Sequence, residues 1–383
     1  MTLPDVQITD HLPATIRSRH IDNGNGLKMH FLEAGENRPD RPCLLLLHGF
    51  PELAFSWRHV MPALADAGYY VIAPDQRGYG WTGGAHITYE SDLAAFKLLN
   101  LVQDQLGLLA AVGRGHVAAV IGHDFGSPVA AHAALIRPDV FRAAAMMSAP
   151  FGGPPALPFG QAHSPGLAAA GADIHQQMAQ LNRPRKHYQW YYSTPEADRD
   201  MCHAAQGLSD FLRAYYHVKS ADWTANSPFR LAGWQADELA KMPTYYIMDK
   251  DQTMAETVAP HMPSAAQIAA CQWLSDTDLT VYSGAYAATG FQGGLQWYRC
   301  ATNPQFTQEM RVFSGRTIDV PSLFLAGQAD WGVYQKPGDF ERMQATACTD
   351  MRACHLIPGA GHWVQQEQPA AVIGHLLDFL ASL

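Results

Sequence analysis

Four continuous apolar runs of about strand length constrain the fold more than any other feature of the chain. They are CLLLLHGF (43–50), YYVIAPD (69–75), VAAVIGHD (117–124) and AAAMMSAPF (143–151). A strand that is buried on both faces of a sheet has such an uninterrupted apolar sequence. Helical patterns lie between the runs, the longest over 91–113. Strands and helices in alternation predict an α/β fold with a mostly parallel central sheet flanked by helices.

The alternation stops after the fourth run and returns near the end of the chain. From Gly152 to Gln305 the sequence shows helical stretches rich in Pro, Gly, Trp and Tyr, without a buried strand run. Two further strand patterns follow at 320–330 and 351–363, and an amphipathic helix ends the chain. A sheet that is interrupted in this way indicates one core domain with an insertion.

We therefore expect three segments. Residues 1–151 form the first part of the core, 152–305 a mainly helical cap (lid), and 306–383 the second part of the core. Within the cap, the segment 225–260 has no feature that we assign to chemistry. It is interpreted as a lid loop that shapes a pocket.

Charge and hydropathy exclude several classes of partner. The chain of 383 residues has 26 Lys and Arg against 35 Asp and Glu, a net charge of −9 without a basic run. Nucleic acids and anionic membranes need clustered basic side chains, so neither is expected as a partner. No apolar run approaches the ~18–20 residues of a membrane span, and the first residues lack the apolar segment of a signal peptide. We expect a cytoplasmic monomer or homodimer.

Neither a metal ion nor another cofactor is expected. The six cysteines form no CxxC pair, and a chain of this size does not need disulfides for stability. The chain has 18 histidines, but none of them form an HxxxH or HExxH pattern. Scattered histidines are usually surface or core residues, and the cysteines are interpreted as reduced thiols.

The third apolar run ends on Asp124, and a helical pattern follows it. Gly122 and Gly126 flank this aspartate at two residues on each side, the spacing of a nucleophile elbow. Such a turn raises one side chain above the carboxyl edge of the sheet. The N-terminal end of the following helix keeps a carboxylate ionised. The alternative is that Asp124 only caps the helix.

Two further strand ends bring an acid and a histidine. Asp330 follows the run VPSLFLAGQA, and His362 lies in the glycine-rich loop after MRACHLI. Nucleophile, acid and histidine in this chain order are typical of α/β-hydrolases. Asp330 would orient the imidazole and stabilise its cation, and His362 would act as a general base.

The loop after the first run, HGFP, offers the remaining element of such a site. Backbone N–H groups of Phe50 and Phe125 are the expected oxyanion donors. A cis peptide bond at Pro51 is compatible with this tight loop. In the loop after the second run, Asp75 and Arg77 are expected to form a structural ion pair.

Four motifs together resemble those of an α/β-hydrolase-fold epoxide hydrolase of the soluble type. They are HGFPE (48–52), DQRGYG (75–80), GHDFGS (122–127) and GHW (361–363). The resemblance spans almost the whole chain and implies an Asp-His-Asp triad beneath a helical cap. HGFP with an aspartate nucleophile also occurs in related dehalogenases, so these motifs do not separate the two activities.

The resemblance also implies two cap tyrosines that donate hydrogen bonds to the epoxide oxygen. The first matches Tyr188 in RKHYQWYYSTPEADRD. The second matches Tyr282, eight residues before Gly290 in VYSGAYAATGFQGGLQWYRC, and Tyr286 one helical turn later is its rival. The alternative is that these tyrosines only pack the lid.

The implied reaction converts a small-molecule epoxide and water into a vicinal diol. A phenol with pKa ~10 is protonated at neutral pH and can donate to the developing alkoxide, and a carboxylate with pKa ~3.9 is ionised and can attack carbon. The aspartyl ester keeps a carbonyl that water can attack, which a seryl ether would lack. Aromatic residues are expected to line the apolar pocket. We name Trp190, Phe291, Trp331 and Trp363 as substrate contacts.

The main alternative is a haloalkane-type dehalogenase that uses the same Asp nucleophile. Such enzymes usually follow the nucleophile with Trp, which cradles halide, whereas Phe125 stands here without an N–H on its ring. Trp190 or Trp331 would then have to bind the halide. A serine esterase is disfavoured because Ser127 lies off the apex of the elbow. A non-catalytic receptor remains the third alternative, since fold alone does not decide function.

Overall fold

The computed structural model describes residues 8–83, 87–157 and 173–383. Within these ranges the strands are β1 Ile16–Asp22, β2 Lys28–Ala34, β3 Cys43–Leu47, β4 Tyr70–Pro74, β5 Ala119–His123, β6 Ala144–Met147, β7 Arg185–His187, β8 Ile247–Asp249, β9 Ser322–Gly327 and β10 Met351–Ile357. All four apolar runs and both later strand patterns thus contain a strand. Part of the predicted cap, residues 158–172, lies outside the described residues.

Helices connect these strands and make up most of the described insertion. In chain order they are α1 Met61–Asp66, α2 Leu98–Ala111, α3 Gly126–Ile136, α4 Ile174–Ala179, α5 Tyr188–Tyr192, α6 Ala197–Cys202, α7 Leu208–Lys219, α8 Ala236–Leu239, α9 Met254–Val258, α10 Ala265–Ala270, α11 Asp276–Thr289, α12 Gln292–Thr302, α13 Pro304–Glu309, α14 Asp339–Arg342, α15 Val364–Glu367 and α16 Pro369–Ala381. Among the described residues, no helix combines the length and the apolar character that crossing a bilayer requires.

Eight strands form one sheet in the order β1-β2-β4-β3-β5-β6-β9-β10. β1 pairs with β2, and β2 with β4, in antiparallel fashion. The remaining neighbours in this sheet, β4-β3-β5-β6-β9-β10, all pair in parallel. The prediction of a mostly parallel sheet flanked by helices is therefore confirmed. Because these six strands run in one direction, their carboxyl ends meet at a single edge of the sheet.

The centre of the sheet is apolar because helices cover it. Every residue of β3, β5 and β6 is buried, and α3 packs against β5 and β6. Burying apolar surface on both faces stabilises such strands by roughly 25 cal/mol per Å². The rigid strands fix where the loops at the carboxyl edge begin, and the candidate site lies there.

The insertion contains one element that the sequence did not reveal. β7 and β8 pair as an antiparallel two-stranded sheet, with Arg185 opposite Asp249 and His187 opposite Ile247. β8 belongs to the segment 225–260, which had no assigned feature. Three-residue strands are too short to show a two-residue periodicity, so the sequence pattern could not predict them.

The predicted ion pair between Asp75 and Arg77 is wrong. Arg77 binds the carboxylate of Asp104 on α2 through two hydrogen bonds, each 2.7 Å long. Asp75 instead lies 2.8 Å from Nδ1 of His30 and accepts the N–H of Ala54. Asp75 directly follows β4 and lies beside His30 of β2, whereas the turn that begins at Arg77 brings its guanidinium to α2.

Candidate active site

Asp124 lies in the turn between β5 and α3. Its backbone φ is +50°, in the left-handed region that residues other than glycine rarely adopt. A Cβ on Gly122 would clash with the carbonyl oxygen of Gly126, and a Cβ on Gly126 would clash with that of Leu47. The tight turn therefore requires both glycines, and it holds the aspartate at the carboxyl edge of the sheet.

His362 contacts two carboxylates at once. Its Nε2 lies 3.1 Å from Oδ2 of Asp124, and its Nδ1 lies 3.0 Å from Oδ1 of Asp330. The exposed fraction is 8% for Asp124 and 1% for each of the other two. Asp330 also accepts the N–H of Gly332 at 2.7 Å, which fixes the orientation of its carboxylate. The arrangement suits a nucleophile, a base and a residue that orients the base.

The loop after β3 supplies a hydrogen-bond donor to the same aspartate. The N–H of Phe50 donates to Oδ1 of Asp124 at 2.9 Å, and the peptide bond to Pro51 is cis. A Cβ on Gly49 would clash with the Asp124 side chain, so this close approach requires glycine. Phe125 follows the aspartate directly at the start of α3. Oδ1 of Asp124 therefore occupies the position of an oxyanion or carbonyl oxygen.

Opposing effects set the charges of the triad. Burial raises the pKa of Asp124, but the hydrogen bond and charge of His362 and the ammonium of Lys219 outweigh it and lower the pKa far below its ordinary value. Burial and Lys219 lower the pKa of His362, yet Asp330 and Asp124 prevail and raise it above 6.5. Burial also raises the pKa of Asp330, and His362 more than reverses the effect. Both carboxylates are thus ionised beside an imidazole that readily holds a proton.

A buried carboxylate–imidazole pair supports the His362 loop. Nδ1 of His123 lies 2.5 Å from Oε2 of Glu52, and Nε2 lies 2.7 Å from the carbonyl oxygen of His362. Oε1 of Glu52 accepts amide N–H groups of Gln365 and Gln366 at 2.8 and 3.0 Å. The network joins the loop after β3, the end of β5 and the His362 loop, so it holds the imidazole against Asp124.

A cavity of about 310 Å³ opens at Asp124, with walls from both the core and the insertion. Its aromatic lining consists of Phe96, Phe125, Phe151, Tyr188, Trp297, Tyr298 and Phe306. Such walls suit a small, largely apolar organic molecule. In the part of the chain that the structure describes, no group of three or more His, Cys, Asp or Glu side chains is arranged to hold a metal ion.

Tyr188, at the start of α5, presents a phenol to this cavity. Its hydroxyl donates to Oε1 of Gln335 at 3.0 Å and accepts from the Gln189 amide at 3.2 Å. Burial, and next the charge of Asp124, raise the pKa of Tyr188 well above 10. The phenol therefore remains protonated, with its single O–H directed at Gln335 in this structure.

Comparison with known proteins gives the family. The model of the alpha/beta hydrolase fold matches residues 42–369. Epoxide hydrolase A of Mycobacterium tuberculosis is 35% identical over 94% of this chain and 96% of its own length. The chain belongs to the epoxide hydrolases of the α/β-hydrolase fold. The resemblance stated from the four motifs, and the hydrolase class, are thereby confirmed.

Solved structures of other epoxide hydrolases share the architecture. The enzyme from an endophytic Streptomyces superposes with a TM-score of 0.75 at 29% identity, covering 96% of both chains. Potato (Solanum tuberosum) epoxide hydrolase I gives 0.71 at 27% identity, covering 96% of this chain and all of that one. The fold of this epoxide hydrolase is thus common to bacterial and plant members.

Tyr282 does not reach the cavity in this epoxide hydrolase. Its hydroxyl donates to Oε1 of Gln366 at 3.1 Å, and its ring packs edge-on against Phe55. The hydroxyl of Tyr286 lies 3.5 Å from the carbonyl oxygen of Glu52. The structure therefore corrects the prediction that either of these tyrosines faces the substrate. Spacing along a helix fixes which residues share a face, but packing decides where that face points.

Tyr298 on α12 is the second phenol that lines the cavity. Its ring centroid lies 5.4 Å from that of Phe50, 5.0 Å from that of Phe125 and 5.9 Å from that of Tyr188. Burial, followed by the charge of Asp124, raises the pKa of Tyr298 well above 10. Sequence reasoning missed this residue because it belongs to the QWYR stretch, which the resemblance uses only as a marker for Tyr282.

The four aromatic residues that were predicted to contact substrate lie elsewhere: Trp190, Phe291, Trp331 and Trp363. Trp363 donates its indole N–H to the carbonyl oxygen of Tyr216 at 2.8 Å. Trp190 lines a separate hollow of the insertion. Phe291 stacks on a tyrosine of α11, and Trp331 packs against a phenylalanine of the segment 225–260. Phe291, Trp331 and Trp363 are buried against other protein groups, and Trp190 faces a different hollow, which sequence position alone does not reveal.

Proposed function

We propose that the protein hydrolyses a small, largely apolar epoxide to a vicinal diol through an ester on Asp124. The observation that carries this proposal is a carboxylate at the apex of the elbow, in contact with His362 and the Phe50 N–H and facing two protonated phenols. A carboxylate attacks saturated carbon and forms an ester that water can cleave. A hydroxyl at the same apex would form an ether, which would not turn over.

In the first half-reaction, Oδ2 of Asp124 attacks an epoxide carbon and the carbon–oxygen bond breaks. The electron pair goes to the epoxide oxygen, which accepts a hydrogen bond and then a proton from a phenol. Oδ1, held by the Phe50 N–H, becomes the ester carbonyl oxygen. Tyr188 is one donor, because its phenol lines the cavity beside the nucleophile.

Tyr298 is proposed as the second donor, in place of Tyr282. It lines the same cavity, and its ring lies 5.9 Å from that of Tyr188, so both phenols are able to reach one small substrate. A hydrogen bond to a developing alkoxide in a site withdrawn from water lowers the barrier more than it would in solution.

In the second half-reaction, His362 takes a proton from water, and the hydroxide attacks the carbonyl carbon of the Asp124 ester. The N–H groups of Phe50 and Phe125 stabilise the tetrahedral oxyanion, and Asp330 stabilises the imidazolium. Collapse of this intermediate releases the diol and regenerates the carboxylate. The two protons of the attacking water, one held by His362 and one on the newly added oxygen, go to the leaving alkoxide and to the tyrosinate, so that the diol is complete and the phenol, the imidazole and the carboxylate are restored.

A dehalogenase fits the cavity less well, because halide needs free N–H donors. The ring of Phe125 has none, and the indole of the cavity-lining Trp297 is already engaged, donating to the carbonyl oxygen of Arg77 at 2.9 Å. Neither Trp190 nor Trp331 lines this cavity. No observation therefore favours a haloalkane over an epoxide as the substrate.

A single turnover of styrene oxide in ¹⁸O water tests the ester pathway. The first diol should carry no ¹⁸O from the solvent, and one carboxylate oxygen of Asp124 should be labelled. Label in the first diol would instead show direct attack by water and overturn the mechanism. Chloride release from a 1-chloroalkane, without diol formation from styrene oxide, would establish the dehalogenase alternative.

A further inference from the structure

Lys219, the last residue of α7, is a buried cation without a carboxylate partner. Its exposed fraction is 3%, and no ion pair joins it to any acidic side chain among the described residues. Its Nζ lies 3.5 Å from the hydroxyl oxygen of Tyr215, the longest distance that still counts as a hydrogen bond. Burying an ammonium costs several kcal/mol unless the surroundings compensate it, so its retention here needs an explanation.

Three aromatic rings compensate the charge in part. Nζ of Lys219 lies 5.2 Å from the ring centroid of Tyr215, 5.0 Å from that of Tyr246 and 5.5 Å from that of Trp363. The electron-rich faces of such rings attract a cation. The negative end of the α7 dipole adds to this attraction. Tyr215, Tyr246 and Trp363 thus form an aromatic cage. The cage holds the ammonium in place without neutralising it, so the charge of Lys219 acts on neighbouring groups.

The triad lies within that field. The carbonyl oxygen of Lys219 accepts the backbone N–H of His362 at 2.8 Å, and Trp363, which forms one wall of the cage, is the next residue in the chain. A Cβ on Gly361 would lie 2.5 Å from the same carbonyl oxygen, so the loop and the end of α7 are in close contact. The caged ammonium and the imidazole are thus held together by backbone contacts as well as by packing.

We propose that Lys219 is a positioning residue that acts through His362: its ammonium favours the neutral imidazole, the form that takes a proton from water while the ester on Asp124 is present. The inference rests on the proposed function. In the resting site, two carboxylates face the imidazole, and they outweigh the lysine. Ester formation removes the charge of Asp124, so Lys219 then opposes Asp330 alone and the imidazole releases its proton more readily.

The charge effects in the resting protein have the required sign. After burial, Lys219 makes the largest contribution that lowers the pKa of His362, and its charge also lowers the pKa of Asp124. The titratable groups that face His362 or Lys219 are Asp124, His123, Asp330, Tyr215, Tyr246 and Glu367. Burial raises the pKa of Glu367 to about 8, although three backbone N–H groups donate to its carboxylate. Glu367 therefore needs a control of its own.

The direct test is the titration of His362 in substrate-free protein, followed by NMR of ¹³Cε1-labelled histidine and assigned with His362→Gln. Lys219→Met should raise the pKa of His362 by about one unit, because it removes the positive charge that opposes protonation of the imidazole. Lys219→Arg should restore the wild-type value. Lys186→Met is the matched control, since Lys186 also lies over a tyrosine ring but in the two-stranded sheet of the insertion. It should leave the pKa unchanged.

The kinetic readout is the pH dependence of ester hydrolysis in single turnovers. In Lys219→Met the acid limb should move up by about one pH unit, so hydrolysis at pH 6.5 slows by roughly 10-fold and recovers at high pH. A purely structural role would lower the rate at every pH without moving the limb, and that result would overturn the proposal. The same comparison in a Glu367→Gln background shows whether Glu367 contributes to the limb.

Two further measurements separate a failure of the Lys219 proposal from a failure of the proposed function. If Lys219→Met fails to fold, the ε-CH₂ signal of Lys219, assigned with Lys219→Arg, is titrated in the wild-type protein. A lysine that loses its charge at or below the pKa of His362 would exclude the proposal. Because the histidine titration needs no substrate, a wild type that shows no epoxide turnover contradicts the proposed function while the coupling between Lys219 and His362 is still measured.

Discussion

The core and the cap deliver their chemical groups by different means. In the core, Asp124, Asp330 and His362 follow β5, β9 and β10, and parallel strands bring these ends to one edge. In the insertion, Tyr188 and Tyr298 reach the cavity, whereas Tyr282 hydrogen bonds to Gln366. A sheet fixes where its loops begin, so motifs at strand ends predict which residues meet at the site. In a helical insertion, packing decides which helix face points to the cavity, so the spacing of tyrosines predicts much less about which of them reach the site.

Removal of Asp124, the proposed nucleophile in the core, should have the largest effect. Asp124→Asn keeps the shape and the acceptor for the Phe50 N–H but cannot form an ester, so we expect diol formation to fall on the order of 10⁴-fold or more. Steady-state assays and thermal unfolding measure the two quantities. Asp139→Asn, which alters an exposed aspartate paired with Arg137, serves as the control. Retention of a tenth of the activity would show that the core half of the comparison is wrong.

Removal of His362, the proposed base in the core, should stop the second half-reaction but not the first. In His362→Gln the ester should still form but persist, because no imidazole accepts the proton of water, and turnover should fall about 10³-fold. Intact-protein mass spectrometry should find the mass of one substrate added to the chain. The control is His355→Gln on β10, whose ring stacks on His375 away from the site. Lost turnover without any adduct would place His362 in the first half-reaction instead.

Removal of a cavity phenol from the cap should slow ester formation but not its hydrolysis. Tyr188→Phe and Tyr298→Phe should each lower the alkylation rate by about 100-fold, since each deletes a donor to the developing alkoxide. Rapid quenching in single turnovers separates the two half-reactions. Equal slowing of both halves would indicate altered packing rather than a lost donor.

Tyr282→Phe sharpens the comparison most, because the family resemblance and the structure disagree there. We expect ester formation to change by less than about 3-fold, and the free energy of unfolding to fall by about 1 kcal/mol as the hydrogen bond to Gln366 is lost. Denaturant unfolding and single-turnover assays measure both. A 100-fold loss for Tyr282→Phe, together with a fully active Tyr298→Phe, would restore the assignment made from the sequence.

The smallest expected effect concerns alkaline pH, where the rate of ester formation should stay level. Burial and the charge of Asp124 raise the pKa of Tyr188 and Tyr298, and a raised pKa keeps a phenol protonated to higher pH. Ester formation should therefore not decline below about pH 10, the ordinary pKa of a phenol. The measurement is kcat/KM from pH 6 to 10. A decline below pH 10 that disappears in Tyr188→Phe would show that the phenol ionises more easily than its burial implies.

The sequence by itself determined the mostly parallel sheet and the interrupted core, and it singled out three strand-end residues that the structure brings into contact. It did so because buried strands have continuous apolar sequences, and because the elbow requires Gly122 and Gly126 at fixed positions. The apolar runs and the elbow spacing are local signals, and the interruption of the core is evident from the order of those signals along the chain.

Only the tertiary structure decided which phenols face Asp124, which aromatic residues line the cavity and where Lys219 lies. The resemblance pointed to Tyr282 and passed over Tyr298, and which of the two phenols faces the cavity depends on how α11 and α12 pack over the core. The contact between the end of α7 and the His362 loop joins residues more than 140 positions apart. Contacts of that kind leave no periodic trace in the sequence, since they depend on the shapes of both surfaces at once.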